Sequence, residues 1–245
     1  MRILGIIPAR FASSRFPGKP MADIAGKSMI RRVYEQCEKS QRLDKVIVAT
    51  DDQRIMDHVL GFGADAMMTS DQHPSGTDRC EEVAKQYSDF DVCINIQGDE
   101  PLIDPAQIDL LCGCFDQEHV QLATLVKKIS TEEDLFNQNT PKVVLNKKLE
   151  AIYFSRTAIP FFRGRETGDW LKHTYYKHIG IYGYRTKILA EITQFPVSAL
   201  EKAEALEQLR WIENGYTIQV AITDKESQAI DTQADLEKLL RMLKA

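Results

Sequence analysis

Three short stretches constrain what this chain can fold into. ILGII (3–7), DKVIVAT (44–50) and DVCINIQ (91–97) are almost continuously apolar. Each is short and rich in β-branched residues, which argues for strands rather than buried helices. A strand that is apolar on both faces needs cover on both faces, the setting of a parallel sheet between helices. Helical patterns fill the gaps. Over 28–41, Met29, Ile30, Val33 and Cys37 recur at helical spacing behind a hydroxyl at Ser28. The segments 52–62, 77–87 and 105–115 read as further helices, the last with Pro105 in its first turn. A further short strand is expected at 64–68.

The pattern changes after about Gln121. QLATLVKKI (121–129), KVVLN (142–146), EAIYFS (150–155), HIGIYGYR (178–185) and YTIQVAI (216–222) read as strands. The stretch 160–177 reads as loop, with glycines at 164 and 168, and 200–212 and 232–243 read as helices. The expectation is an α/β fold: a mostly parallel central sheet flanked by helices, Rossmann-like, with a smaller lobe inserted in the second half. One domain over 1–245 is expected, in two halves, 1–120 and 121–245.

The loop after the first strand, PARFASSRFPGKP (8–20), holds Arg10, Arg15 and Lys19 and no acid, in a chain of net charge −5. An acidic chain with one basic loop argues for a small anionic ligand and against nucleic acid. Ala12, Ser13, Ser14 and Gly18 are small enough to let backbone N–H groups approach anionic oxygens. Arg10 can grip an oxygen pair, and Lys19 supplies a point charge. A solvated basic loop has the same composition. The position straight after a buried strand favours the ligand reading.

In open α/β sheets, ligands bind beyond the carboxyl ends of the strands. HPSGTDR (73–79) and QGDEP (97–101) follow strands and are expected to share one cleft with the basic loop. Asp99 is the leading metal candidate, since a hard cation takes one or two carboxylates beside phosphate oxygens. It also reads as a turn aspartate. Asp231, in AIDTQADL, is the second acid, and it reads equally as an N-cap for the closing helix.

Other chemistries are excluded. AGKS (25–28) ends like a phosphate-binding P-loop but has Met21 where that loop needs glycine. GFGADA (61–66) lacks the third glycine of the dinucleotide fingerprint and follows a helix. There is no His-Glu-x-x-His and no Gly-x-Ser-x-Gly. The five cysteines have neither disulfide-framework nor zinc spacing, which implies reduced thiols and a cytoplasmic protein. The apolar start is too short for a membrane span or a signal-peptide core.

IPARFASSRFPGKP, HPSGTDR, NIQGDEP, YFSR, KHIGIYGYR and LEQLR occur in this order. The chain thereby resembles the CMP-Kdo synthetases, the 3-deoxy-manno-octulosonate cytidylyltransferases, over nearly its whole length. IPAR with a downstream lysine is common to sugar nucleotidyltransferases. QGDEP with HIGIYGYR is far more specific to the Kdo branch and argues against the sialate branch. Ser28 and Ala199 stand where the family usually has proline, which touches local loop shape only.

The resemblance implies that CTP and Kdo give CMP-Kdo and pyrophosphate, for lipopolysaccharide biosynthesis. It implies that Arg10 and Lys19 hold the triphosphate, with Pro8, Ala9, Ser13, Arg15, Ser75, Gly76 and Arg79 as further CTP contacts. Asp99 and Asp231 would hold Mg²⁺. An acidic sugar wants an arginine for its carboxylate, and Arg156, after AIYFS, is the candidate. Gln97, His178, Tyr182, Glu207 and Gln208 are the implied hydroxyl ligands. For Tyr182 core packing is the competing reading, and for Glu207 a solvated helix face. His178 near its ordinary pKa could serve as a base, but it is assigned to binding. The first half would bind nucleotide; the second would bind sugar and form a homodimer, as the family and the apolar strand around 178–184 suggest. The rivals are another sugar cytidylyltransferase and a catalytically silent nucleotide-binding module.

Overall fold

The computed structural model describes residues 1–12, 16–163, 170–226 and 229–244. The fold is α/β, a mostly parallel sheet flanked by helices, as the strand pattern predicts. The chain divides into two compact units, Met1–Cys112 with Ser227–Ala245, and Gly113–Glu226. In sequence, the second is thus inserted between two segments of the first.

The first unit opens with β1 (Ile3–Ala9), a hairpin of β2 (Asp23–Ile24) and β3 (Lys27–Ser28), and α1 (Met29–Cys37). There follow β4 (Lys45–Thr50), α2 (Gln53–Gly61), β5 (Ala66–Met68), α3 (Gly76–Gln86), β6 (Val92–Asn95) and α4 (Pro105–Gly113). Strand order is β5-β4-β1-β6, every pair parallel. Ile3, Leu4, Ile6 and Ile7 of β1 and Ile47, Val48 and Ala49 of β4 are all buried, so both sheet faces are covered. Local chemistry sets the helix starts. Ser28, Asp52 and Ser75 each accept a backbone N–H from the first turn of α1, α2 and α3. Thr77 therefore does not cap α3; it lies buried inside the first turn. AGKS is a hairpin turn, with Ala25 and Gly26 at φ 49° and 83°.

The second unit holds β7 (Leu122–Lys128), α5 (Glu132–Phe136), β8 (Lys142–Leu145), β9 (Ala151–Ser155) and β10 (Tyr176–Arg185). It continues with α6 (Thr186–Ile192), α7 (Ala199–Glu204), α8 (Gln208–Glu213) and β11 (Ile218–Thr223). Strand β11 pairs with β7 in parallel, and β7-β10-β8-β9 continue antiparallel. The Glu150–Gln219 bridge brings the start of β9 back beside β11. The stretch 160–177 is not all loop: a short 3-10 turn spans Trp170–Lys172, and β10 begins at Tyr176. The glycines at 164 and 168 lie outside the described residues.

One helix is expected over 200–212, and two are found. The break is at Ala205, whose φ is 50°. The carbonyls of Glu204 and Ala205 accept from the Arg156 guanidinium at 2.6 and 3.0 Å instead of continuing a helical ladder. In the strand 178–184, Tyr182 and Tyr184 are buried and meet Trp211 of α8 at 5.2 and 5.6 Å between ring centroids. Tyr182 and Tyr184 thus pack inside the second unit.

The last helix, α9 (Gln233–Lys244), belongs to the first unit, where Leu236 and Leu239 pack with Ile24, Met29 and Ile230. Thr232 caps it, accepting from Asp235 N–H at 3.2 Å, while the Asp235 carboxylate takes Thr232 N–H at 2.8 Å. The cap is thus Thr232, not Asp231.

Candidate active site

Strand β1 ends at Ala9, and the turn 97–99 lies against that end. A Cβ on Gly98 would fall 2.7 Å from the Pro8 carbonyl oxygen, so glycine is required here by close approach. Gly76, at the start of α3, sits beside Pro8 and Asn95. Gly76 opens the eleven-residue α3, and a helix N-terminus of this length is a favourable end for anions. The three segments suspected from sequence therefore do meet at the carboxyl end of β1.

Lys19 is the centre of the charge arrangement. It opens a short 3-10 turn after Gly18, which has φ 70° and lies under the Phe11 ring. Lys19 Nζ donates to Asp99 Oδ2 at 2.6 Å and to Asp231 Oδ1 at 3.3 Å. The Ile230 N–H donates to the Asp99 carbonyl at 2.9 Å, which fixes the C-terminal segment beside the turn. Residues from three distant parts of the chain thus bring two carboxylates to one point. That donor set suits Mg²⁺, which takes one or two carboxylates and completes its shell with phosphate and water oxygens. No group of three or more acidic, His or Cys side chains suited to a metal occurs among the described residues.

Arg10 donates through Nη2 to the His73 carbonyl and lies 3.5 Å from that of Ser75. The His73 ring is held by the Glu82 carboxylate at 2.5 Å. Ser75 Oγ donates to Asp78 at 2.6 Å while capping α3. The Arg79 side chain is fully buried, with Nη2 on Asp51 at 2.7 Å and Nη1 on the Thr69 hydroxyl. A wholly buried guanidinium in an ion pair anchors the segment to Asp51 and Thr69, while its Nε has no partner among the described residues. Ser13 and Arg15 lie outside the described residues.

Gln97 begins the 97–99 turn and is half-buried, its carbonyl accepting from Glu100 N–H. Sequence reasoning passed over Asn95, the last residue of β6. It is buried beside Gly76 and Pro8, and its Oδ1 has no partner. The available signal was a lone amide ending an apolar run.

In the second unit, His178 Nε2 pairs with the Thr124 hydroxyl at 3.0 Å, and its ring meets Phe154 and Tyr182. Burial pushes its pKa down to about 3. It is therefore neutral at physiological pH and a poor base, not a group near its ordinary pKa. Tyr182 and Gln208 are buried, and the Tyr182 hydroxyl and Gln208 Nε2 have no hydrogen-bond partner. Unpartnered buried polar groups are costly and mark places where something polar is meant to bind. Tyr182 packs on Trp211, one turn along α8 from Gln208. Glu207 stands at the N-cap of α8 and is half-buried, not on a fully solvated face. Arg156 spends three of its five N–H groups on the carbonyls of Gln138, Glu204 and Ala205. Among the described residues, two N–H groups have no partner and could take a carboxylate.

Comparison with known proteins gives one consistent picture. The profile of the cytidylyltransferase family matches residues 4–222. A Parabacteroides distasonis protein named 3-deoxy-manno-octulosonate cytidylyltransferase is 57% identical, over 99% of this chain and 98% of its own. A Bacteroides thetaiotaomicron protein of the same name is 55% identical, over 100% of this chain and 99% of its own. A solved structure of a CMP:2-keto-3-deoxy-manno-octonic acid synthetase complexed with CTP is 42% identical, with a TM-score of 0.92 over 100% of this chain and 99% of that one.

Proposed function

The chain belongs to the cytidylyltransferase family, and from that premise we propose that it transfers a cytidylyl group from CTP to 3-deoxy-manno-octulosonate, releasing pyrophosphate. Full-length likeness to relatives of that name supports the substrate pair. The observation that carries the chemistry is the Lys19 ammonium between the Asp99 and Asp231 carboxylates. It lies at the carboxyl end of a parallel sheet, where phosphate ligands bind.

The sugar's anomeric hydroxyl attacks the α-phosphorus in line with the leaving pyrophosphate, and its proton passes to solvent or a phosphate oxygen. Such a displacement gains most from positioning and charge neutralisation. Arg10 and Lys19 lie against the triphosphate and offset the charge that grows as pyrophosphate departs. Pro8 and Ala9 present backbone groups to the base, while Ser75 and Gly76 present the start of α3 to phosphate. Asp99 and Asp231 would hold Mg²⁺, which when bound supplies Lewis acidity at phosphate oxygens. Arg156 takes the sugar carboxylate with its two remaining N–H groups. Gln97, His178, Tyr182, Glu207 and Gln208 take hydroxyls, and His178 does so as a neutral ring.

The chain acts as one nucleotidyltransferase domain, the first half for nucleotide and the second for sugar and for a homodimer. Its product feeds lipopolysaccharide assembly. Five buried cysteines without disulfides support a reducing cytoplasm. No helix among the described residues is long and apolar enough to cross a membrane.

The test is pyrophosphate release with Mg²⁺, CTP and Kdo, with UTP, ATP and N-acetylneuraminate as controls. Release with CTP and Kdo alone is expected. Release with another acidic sugar only would replace the substrate, and silence with every sugar despite CTP binding would favour a non-catalytic module.

A further inference from the structure

Arg156 is held through both its backbone groups and through three of its five guanidinium N–H groups. Its backbone N–H donates to Glu204 Oε2 at 2.9 Å. Its carbonyl accepts from Lys142 Nζ at 2.6 Å. Its guanidinium donates to the carbonyls of Gln138, Glu204 and Ala205. A residue just past the end of a strand would ordinarily give its backbone groups to water. Here two charged side chains take them.

The two holders are unusual in themselves. The Lys142 side chain is fully buried, and both its hydrogen-bond partners are carbonyls, those of Asn137 and Arg156. No carboxylate among the described residues forms an ion pair with it. Burial, and the charge of Arg156 nearby, pull its pKa down, against a smaller upward pull from the Glu204 and Asp134 carboxylates. A buried cation beside another cation is a poor way to gain stability. It is a good way to keep a site positive until an anion arrives. Glu204 serves the opposite end. Its carboxylate accepts from Ser155 Oγ at 2.7 Å and from Arg156 N–H, and its own carbonyl accepts from Arg156 Nε at 2.6 Å. The α7–α8 break at Ala205 is thereby tied to the end of β9, and Glu207 and Gln208 follow it directly.

We infer that Lys142 and Glu204 are positioning residues for the acidic sugar: they aim the two free N–H groups of Arg156 at its carboxylate and fix where α8 begins. The inference rests on the proposed use of CTP and Kdo.

The experiment compares wild type with Lys142→Met and Glu204→Gln in steady-state kinetics, varying CTP and Kdo separately, with melting temperatures recorded. Glu204→Gln keeps the side chain's shape and guards against simple misfolding of the lysine variant. The expected result is a KM for Kdo raised at least about tenfold in both variants, with the KM for CTP within about twofold of wild type. Lys142→Arg, which keeps the charge, should recover part of the loss. A merely structural lock would lower the melting temperature and leave the two KM values, or their ratio, unchanged. That result, or an equal rise in both, would overturn the inference. Absence of wild-type turnover with Kdo would instead refute the functional reading on which it rests.

Discussion

Consider Asp51→Ala. Asp51 pairs with Arg79 at 2.7 Å, and the Arg79 side chain is 0% exposed against 15% for Asp51. Removing the carboxylate leaves a buried guanidinium with only the Thr69 hydroxyl as partner among the described residues. Breaking such a pair from one side costs about 3–5 kcal/mol, a large part of the roughly 5–15 kcal/mol that holds most domains folded. At about 2–4 °C per kcal/mol for a chain of this size, the melting temperature should fall by roughly 6–20 °C. The double variant Asp51→Leu with Arg79→Met removes both charges and should regain most of the loss, since well-packed apolar residues commonly replace buried pairs at little cost. The assay is urea unfolding followed by far-ultraviolet circular dichroism, with the KM for CTP measured at 25 °C on each folded variant. An anchoring role for Arg79 predicts that the double variant keeps that KM within about threefold. A loss under about 1 kcal/mol in Asp51→Ala would mean that Arg79 is hydrated. A KM for CTP raised more than about tenfold in the stable double variant would make Arg79 a nucleotide ligand after all.

Other outcomes follow from the same geometry. Lys19→Met and Asp99→Asn should each lower turnover by at least about a hundredfold with the fold intact, because each removes charge from the phosphate site; near-normal turnover in either refutes its role. Gly98→Ala should lose about 1–3 kcal/mol and weaken CTP binding, since its Cβ would stand 2.7 Å from the Pro8 carbonyl; unchanged calorimetric melting and binding would contradict the close approach. His178 has its pKa lowered from 6.5 to about 3, so the unfolded chain takes up this proton first as pH falls. Stability from His178 is therefore complete above about pH 6.5 and drains away between there and pH 3. His178→Gln should flatten that part of the pH–stability curve, and an identical curve would refute the buried neutral ring.

The sheet of the first unit was legible because β1, β4 and β6 are buried on both faces and leave no ambiguity of period. The cleft was legible because the loops after those strands carry the charge. What stayed hidden was decided by contacts distant in sequence. The break between α7 and α8 depends on Arg156, nearly fifty residues away, taking two helix carbonyls. α5 is only five residues long and shows too little periodicity to read. Arg79 was placed by its motif, and its full burial and pairing with Asp51 and Thr69 could not be read from it. Asp231 also read as the cap of α9; the reciprocal bonds of Thr232 with Asp235 assign that cap to Thr232, and Asp231 pairs with Lys19.

The central claim is attack by the sugar's anomeric oxygen on the α-phosphorus of CTP. Its most direct test is to supply Kdo carrying oxygen-18 at that position, with CTP and Mg²⁺, and to follow the label by mass spectrometry. The account predicts the label in the ester oxygen that joins CMP to the sugar, with unlabelled pyrophosphate released. Label in pyrophosphate, or nucleotide release with no sugar ester formed, would contradict it.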